Sequence, residues 1–150
     1  MRVRHGWIVP VLIITGLAMA ACARSPAEAG GGREPATVEP IEGSDVARVT
    51  LSPDAAKRLD VQTAQVRGLR GVGGGKPRMA IPYAAVLYDP NGDTWTYTNP
   101  EPLVFIRSPI FVDHIQGSEA VLSSGPPPGT EVVTVGASEL LGVEYHVGGE

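Results

Sequence analysis

The chain has 150 residues, which is room for one domain of ordinary size. It is acidic, with 12 Lys and Arg against 16 Asp and Glu, and its basic residues are scattered along the sequence. Nucleic-acid binding requires a basic patch that contacts phosphates, so this composition excludes nucleic acid as a partner.

The first 21 residues have the organisation of an export signal. Arg2 and Arg4 precede an uncharged run, GWIVPVLIITGLAMAACA, which ends in small residues. A basic start, a short apolar core and a small-residue exit are typical of a cleaved signal peptide; the alternative is an uncleaved anchor. Removing residues 1–21 takes away two Arg and no acid, which leaves 10 basic and 16 acidic residues and a net charge near −6.

The segment MAAC (residues 19–22) resembles a bacterial lipobox, in which the cysteine thiol receives a diacylglyceryl group and becomes the first residue after cleavage. Cys22 is the only cysteine, so an intramolecular disulfide is excluded although export would permit one. We therefore predict that residues 1–21 are a lipoprotein signal peptide and that Cys22 is lipidated. The acyl chains would hold the protein in the cell envelope, on the extracytoplasmic face of a membrane.

Residues 22–45 are predicted to form a flexible, lipidated tether. The segment ARSPAEAGGGREPATVEPIEGSD is rich in Pro, Gly, Ala and Glu and has no aromatic residue. Such a segment buries too little apolar surface to offset the entropy lost on ordering it. Its expected role is to space the domain from the lipid.

Residues 46–67 are predicted to form a short β-α-β segment. VARVTL alternates as a strand, SPDAAKRL reads as a helix, and DVQTAQV reads as a second strand. Ser52 suits the N-cap of the helix, and Pro53 suits its first position. Residues 68–77, GLRGVGGGKP, are predicted to be a glycine-rich linker; they lack the spacing of a phosphate-binding loop.

Residues 78–150 are predicted to be the main β-domain, because every aromatic residue after Cys22 lies between Tyr83 and Tyr145. AVLY and TWTYT read as two strands joined by the turn DPNGD, with Trp95 and Tyr97 on one face of the second strand and threonines on the other. PLVFIRSPIFV reads as a long strand bent near Pro109.

Two later segments, QGSEAVLSSG and TEVVTVG, read as further strands, and ASELLGV as one helical turn. Strands at this spacing predict a mainly β fold, a small antiparallel β-sandwich or barrel with one or two short helices. Six aromatic side chains are expected to lie mostly in its core: Tyr83, Tyr88, Trp95, Tyr97, Phe105 and Phe111.

No catalytic, metal-binding or cofactor-binding residue is predicted. Ser138 lies in GASEL, which has Leu140 where a nucleophile elbow needs its second glycine. Asp113 and His114 are adjacent, so on a regular strand their side chains would point to opposite faces. The turn DPNGD does not fit the frame of a calcium loop, and no zinc-ligand spacing is present. We therefore predict that the protein is not an enzyme.

Three segments resemble the periplasmic adaptor (membrane fusion protein) subunits of RND-type efflux systems. They are VTLSPDAAKRLDVQTAQV, IPYAAVLYDPNGDTWTYT and IQGSEAVLSSGPPPGTEVVTVGASELLGVE, in the same order as in that family. The last two resemble the membrane-proximal β-domain, which implies docking on an RND-type or other membrane transporter in transmembrane export. A full adaptor has a lipoyl-like domain and a helical hairpin where this chain has only GLRGVGGGKP. The resemblance therefore implies a truncated, membrane-proximal form.

The residues leave other functions open. The chain could be an exported lipoprotein that binds a small ligand or a metal, with His114 near the rim of a β-domain cup. Hydrolysis through Ser138 is a further alternative. A degenerate adaptor remnant without a retained role is another. The sequence carries no signal of oligomeric state.

Overall fold

The computed structural model describes residues 34–71 and 77–146 (His146 by its backbone alone), and these residues belong to one compact unit. The predicted signal peptide and Cys22 lie outside the described residues. The strands are β1 (Ala36–Pro40), β2 (Ala47–Leu51), β3 (Gln62–Gln65), β4 (Arg67–Leu69), β5 (Arg78–Pro82), β6 (Leu87–Tyr88), β7 (Thr94–Glu101), β8 (Val104–Pro109), β9 (Phe111–Gln116), β10 (Glu119–Ser124) and β11 (Glu131–Val135). The α-helices are α1 (Pro53–Arg58) and α2 (Ala137–His146), and Tyr83–Ala85 form a 3-10 turn.

The strands form two antiparallel sheets. The first sheet has seven strands in the order β1-β2-β8-β7-β11-β3, with β6 also paired to β7. The second has four strands in the order β4-β5-β10-β9. The described chain is thus a small, mainly β sandwich with short helices, as the sequence predicted.

The first sheet carries a hydrophobic core on each face. Val49, Tyr97 and Phe105 lie on one face, where they pack with residues of α1 and α2 such as Leu140. Val132 lies on the opposite face of β11 and packs with side chains of the second sheet. Because strand residues alternate between faces, one set of strands serves both cores. The order of layers is helices, first sheet, second sheet.

Helix α1 begins as the sequence predicted. The Ser52 hydroxyl accepts a hydrogen bond from the Ala55 amide at 3.2 Å, and Pro53 occupies the first helical turn. The cap satisfies one of the amides that a helix leaves unpaired at its start. This fixes α1 against β2, with Ala55 buried in the core shared with α2.

The predicted tether over residues 22–45 extends too far. Residues 36–40 form β1, whose register with β2 pairs Ala36 with Leu51 and Pro40 with Ala47. Ala36 is buried in the core, and Gly43 has a φ of +75° in the turn between the two strands. Composition misled the prediction, because the Pro and Glu of PATVEP stand on an edge strand, where an unpaired side of the backbone tolerates them.

The predicted division at residues 68–77 is also wrong where the structure describes it. Gly68 and Leu69 belong to β4 and pair with Met79 and Arg78 of β5. Strands β1, β2 and β3 lie in the same sheet as β7, β8 and β11. The segment 46–67 therefore contributes to the main domain rather than forming a separate unit before it.

The aromatic core is smaller than predicted. Tyr97 and Phe105 are buried and Trp95 is half-buried, but the other three of the six side chains are exposed: Tyr83, Tyr88 and Phe111. The threonine face of β7 is not a solvent face either, since Thr96 is fully buried. The second sheet covers it, so β7 is enclosed on both sides near its middle.

The chain bends near Pro109, as the sequence predicted, and passes there from the first sheet to the second. Strand β8 pairs with β7 in the first sheet, and β9 pairs with β10 in the second. Ile110 lies between them, buried, and exchanges backbone contacts with Thr94: its amide donates to the Thr94 carbonyl at 3.0 Å. At the end of the chain, α2 has ten residues, where one turn was predicted.

Candidate functional site

Ser138 and His114, which the sequence left as parts of alternative functions, lie in different layers of the structure. Ser138 is exposed in the first turn of α2, in the helical layer. His114 lies on β9, in the second sheet, on the other side of the first sheet. The structure therefore does not bring this hydroxyl and this imidazole together. Cys22, the predicted lipidation site, lies outside the described residues.

Asp113 and His114 do contact each other, which corrects the expectation from a regular strand. The His114 Nδ1 lies 2.8 Å from the Asp113 Oδ2, and Arg78 of β5 donates to the same carboxylate. The cause is a β-bulge: Val121 pairs with His114 and Leu122 with Val112, so Asp113 is the extra residue. The bulge turns both side chains to one side.

This Arg78–Asp113–His114 cluster is a surface ion-pair network. Hydrogen bonding to His114, followed by that to Arg78, lowers the pKa of Asp113. Within the described residues, no group of three or more His, Cys, Asp or Glu side chains could hold a metal ion. A zinc site needs three or four such ligands, so the cluster offers too few. Its placement on an edge strand fits a charged bulge that discourages unwanted strand pairing.

A cleft lies at one end of β7 and β8, where the chain passes to the second sheet. It has a volume of about 430 Å³ and is lined by residues 92–95 and 109–112. Phe111 projects beside it with 66% of its surface exposed. The Thr94 hydroxyl donates to the Ile110 carbonyl at 2.6 Å, which fixes the backbone that carries Phe111. The aromatic ring is therefore exposed but held on a rigid support.

The turn DPNGD, which the sequence predicted, forms the other wall through Gly92 and Asp93. The Asp89 Oδ1 accepts hydrogen bonds from the amides of Asn91 and Asp93, each at 2.9 Å. Gly92 has a φ of +89° and donates to the Asp89 carbonyl. Desolvation raises the pKa of Asp89, but these hydrogen bonds, with that from Trp95, outweigh it and lower the pKa. The carboxylate stays charged and holds the turn in one shape.

Trp95 connects this turn to a buried ion cluster. Its indole Nε1 donates to the Asp89 Oδ2 at 3.3 Å, and the Arg107 guanidinium stacks on its ring with Cζ 4.4 Å from the centroid. Arg107 is also 5.4 Å from the ring centroid of Tyr145, on α2. A cation between two aromatic faces is stabilised by the quadrupoles of both rings. The Trp95 side chain is thus positioned from two directions.

Glu144 of α2 is the centre of the buried ion cluster. Its carboxylate lies 3.2 Å from the Arg107 Nε, and both side chains have only 5% of their surface exposed. It also accepts hydrogen bonds from the Tyr97 hydroxyl and from the Ala47 amide, the latter at 3.1 Å. Arg107 also donates to the Asp45 carbonyl. Every charge in the cluster is paired, which a buried ion pair requires for stability.

Sequence reasoning missed this cluster, although one signal was available. Arg107 interrupts the apolar run VFIRSPIF two residues after Phe105, so it shares the face of a core residue. A buried arginine needs a carboxylate partner. Nothing in the spacing identifies Glu144, which lies 37 residues later in the chain.

Comparison of the chain with protein-family models, with curated proteins and with solved structures found no match in any of the three. In the described part of the chain, no helix is both long and apolar enough to span a membrane.

Proposed function

We propose that the chain is a lipid-anchored, non-enzymatic envelope protein whose β-domain docks on a membrane transporter. The proposed partner is an RND-type transporter, and the domain corresponds to the membrane-proximal part of an efflux adaptor. The proposal rests on the three sequence segments that resemble that family. It is supported by the domain itself, a single β unit with a preformed cleft and exposed aromatic side chains.

One observation supports the resemblance most. The second and third of the resembling segments are distant in sequence, yet they meet at one site. Asp89, Trp95 and Tyr97 come from the second segment, and Glu144 comes from the end of the third. Arg107, from the chain between them, joins Trp95 to Glu144. The two segments therefore build one cluster together, and its Trp95 also lines the cleft.

The proposed lipid anchor adds a constraint on position. About 13 residues separate Cys22 from Pro35, the residue before β1, and a fully extended chain of that length spans at most ~45 Å. The domain would therefore stay within that distance of the membrane. This suits a partner that is itself embedded in the membrane and presents a domain above it.

The test is crosslinking in native membranes, followed by purification of a C-terminally tagged full-length chain and mass spectrometry. We expect recovery of a multi-span RND-type transporter. A Cys22→Ser variant should lose membrane attachment and with it most of the transporter. Recovery of the lipid-anchored chain without any transporter would contradict the proposal.

A second function is favoured by one feature, an apolar groove of about 310 Å³ between β1, α1 and α2. Leu51, Ala55, Leu59 and Val143 line it, and a small apolar molecule could occupy it. Titration calorimetry with single-chain fatty acids and with zinc would identify a ligand-binding lipoprotein by a stoichiometric site. Absence of such a site would leave the docking function as the better account.

A further inference from the structure

The first sheet has two distinct ends, which the register of its strands defines. At one end Ala36 pairs with Leu51, and the next strand places Val104 opposite Thr50. We call this the anchor end, because the chain that follows Cys22 enters the sheet here. Glu101, which pairs with Val104, lies at the same end in the turn between β7 and β8.

The cleft lies at the opposite end, which we call the far end. Trp95 pairs with Pro109 there, and the β1–β2 turn begins after Pro40 at the same level. Pro109 is the fifth residue after Val104, and at about 3.4 Å per residue the two ends are ~17 Å apart. The point where β1 begins and the cleft therefore lie at opposite ends of the first sheet.

The chemistry of the far end selects its ligand. Phe111 and Pro109 offer apolar surface, and Asp93, an exposed residue, also lines the cleft. Among the described residues no Lys, Arg or His nitrogen lies within 4 Å of this residue's carboxylate, whereas Asp113 is already paired with Arg78 and His114. An unpaired carboxylate beside an exposed aromatic ring complements a cation beside an apolar side chain.

We propose that the far-end cleft is the docking surface, and that it binds a protein segment carrying a Lys or Arg next to an apolar residue. The partner would approach the end of the sheet opposite the one at which β1 begins. This inference rests on the proposed function, since it takes both the anchor at Cys22 and a transporter partner from it. The tether and the sheet together place the cleft no more than ~60 Å from the membrane surface.

The arrangement has the features of an interface hot spot. Anchoring aromatic side chains bind best when they are held in place before association, because less conformational entropy is then lost. Thr94 fixes the backbone beside Phe111, and Asp89 and Arg107 fix Trp95. The buried cluster around Glu144 therefore supports the cleft from beneath.

Site-specific photocrosslinking on the full-length, lipidated chain in native membranes tests the surface. A benzoylphenylalanine residue replaces Phe111 at the far end or, as a control, Glu101 at the anchor end. We expect RND-type transporter crosslinked from position 111 and at least tenfold less from position 101. The crosslinked transporter peptide should contain Lys or Arg beside an apolar residue.

The alternative outcomes separate the two proposals. Capture from position 101 but not from 111 would overturn the far-end surface while leaving transporter docking intact. A crosslink from 111 to a second copy of the chain, or to lipid, would also overturn it. If neither position nor the general crosslinker recovers a transporter, the proposed function itself fails.

Matched substitutions provide a second measurement. Asp93→Lys and Phe111→Ala are expected to reduce recovered transporter about tenfold, and salt should weaken capture by the native chain. Glu101→Lys and Ile115→Ala are the controls, one for charge reversal and one for loss of an exposed apolar side chain on β9; both should stay within about twofold of the native chain. Thermal unfolding of all four variants checks that they are folded. Equal losses in the Asp93 and Glu101 variants would contradict the proposal.

Discussion

Glu144 accepts hydrogen bonds from four groups on three different strands and so joins α2 to the first sheet. The donors are Ala47, Tyr97 and two nitrogens of Arg107. Since these groups are almost completely buried in the folded state, water cannot readily replace the carboxylate. Loss of its charge would leave Arg107 buried without a charged partner.

The variant Glu144→Gln is therefore expected to lower the free energy of unfolding by about 3–5 kcal/mol. Glu139→Gln, on the exposed side of the same helix, is the matched control and should change it by less than about 0.5 kcal/mol. Urea unfolding measures both. The double variant Arg107→Met, Glu144→Leu should regain only part of the loss, because it removes both charges together but leaves the Tyr97 hydroxyl and the Ala47 amide without an acceptor. Failure of Glu144→Gln to destabilise would mean that the pair is solvated.

Tyr97 makes the same cluster sensitive to alkaline pH. Burial, reinforced by its hydrogen bond to Glu144, raises the pKa of Tyr97 above its ordinary value of 10.0. A group with a raised folded-state pKa contributes stability that is present below the unfolded-state pKa and is lost as the pH rises above it. Unfolding free energy should thus fall above about pH 10. The unfolding free energy of the Tyr97→Phe variant should fall less steeply with rising pH. Parallel pH curves for the native protein and the variant would refute the role given to Tyr97.

The side chain of Thr96 lowers the stability of the fold, and a single substitution should remove this penalty. Its hydroxyl is buried and has no hydrogen-bond partner in the described part of the chain. The hydroxyl of Thr98, two residues on, donates to the Ile106 carbonyl at 3.0 Å. Thr96→Val should therefore stabilise the protein by about 1 kcal/mol, and Thr98→Val should destabilise it by about as much. Thermal unfolding would show the two shifts in opposite directions.

At the scale of elements, the corner between β8 and β9 is tightly packed. A Cβ atom added at Gly125 would lie 3.1 Å from side-chain carbons of both Ile110 and Leu122, which are buried. At Gly142, in the middle of α2, such an atom would meet nothing within 4 Å among the described residues apart from its chain neighbours and the backbone of its own helix. The two glycines therefore differ in the room around them, although the same substitution can be made at each.

Gly125→Ala should destabilise the protein by about 1–3 kcal/mol through overpacking. Gly142→Ala should stabilise it by about 0.5–1 kcal/mol, since alanine loses less entropy on entering a helix. Denaturant unfolding of the pair checks the corner directly. If Gly125→Ala were neutral, Ile110 would have freedom to move, and the rigid support proposed for Phe111 would be lost.

The individual elements also show which features can be predicted from the sequence and which cannot. The turn at Asp89 and the cap at Ser52 follow from a few adjacent residues, and both were predicted. The bulge at Asp113 depends on the strand that β9 pairs with, which periodicity does not reveal. Phe111 and Tyr88 occupy apolar positions in a strand pattern, but whether a second layer covers them is decided by the packing of distant segments. The cleft was missed for this reason.

At the scale of the whole molecule, the position of the domain boundary is the main correction to the sequence prediction. Strand β1 covers the edge of β2, where Val49 and Leu51 are almost completely buried. The Ser52 amide also donates to the Pro35 carbonyl at 2.9 Å, just before β1. Residues 34–45 therefore belong to the folded unit, and the segment available as a spacer ends near residue 33.

Two N-terminally truncated chains test whether the folded unit begins near residue 34 or near residue 46. A chain beginning at residue 34 should have nearly the same unfolding free energy as one that contains residues 22–33. A chain beginning at residue 46 should lose about 2–4 kcal/mol, because Val49 and Leu51 become partly exposed and each buried side chain of this size contributes about 1.5–3 kcal/mol. Urea midpoints of the three proteins make the comparison. Equal midpoints would mean that residues 34–45 belong to the tether. The domain could then lie farther from the membrane, and a partner could contact the cleft at a greater height.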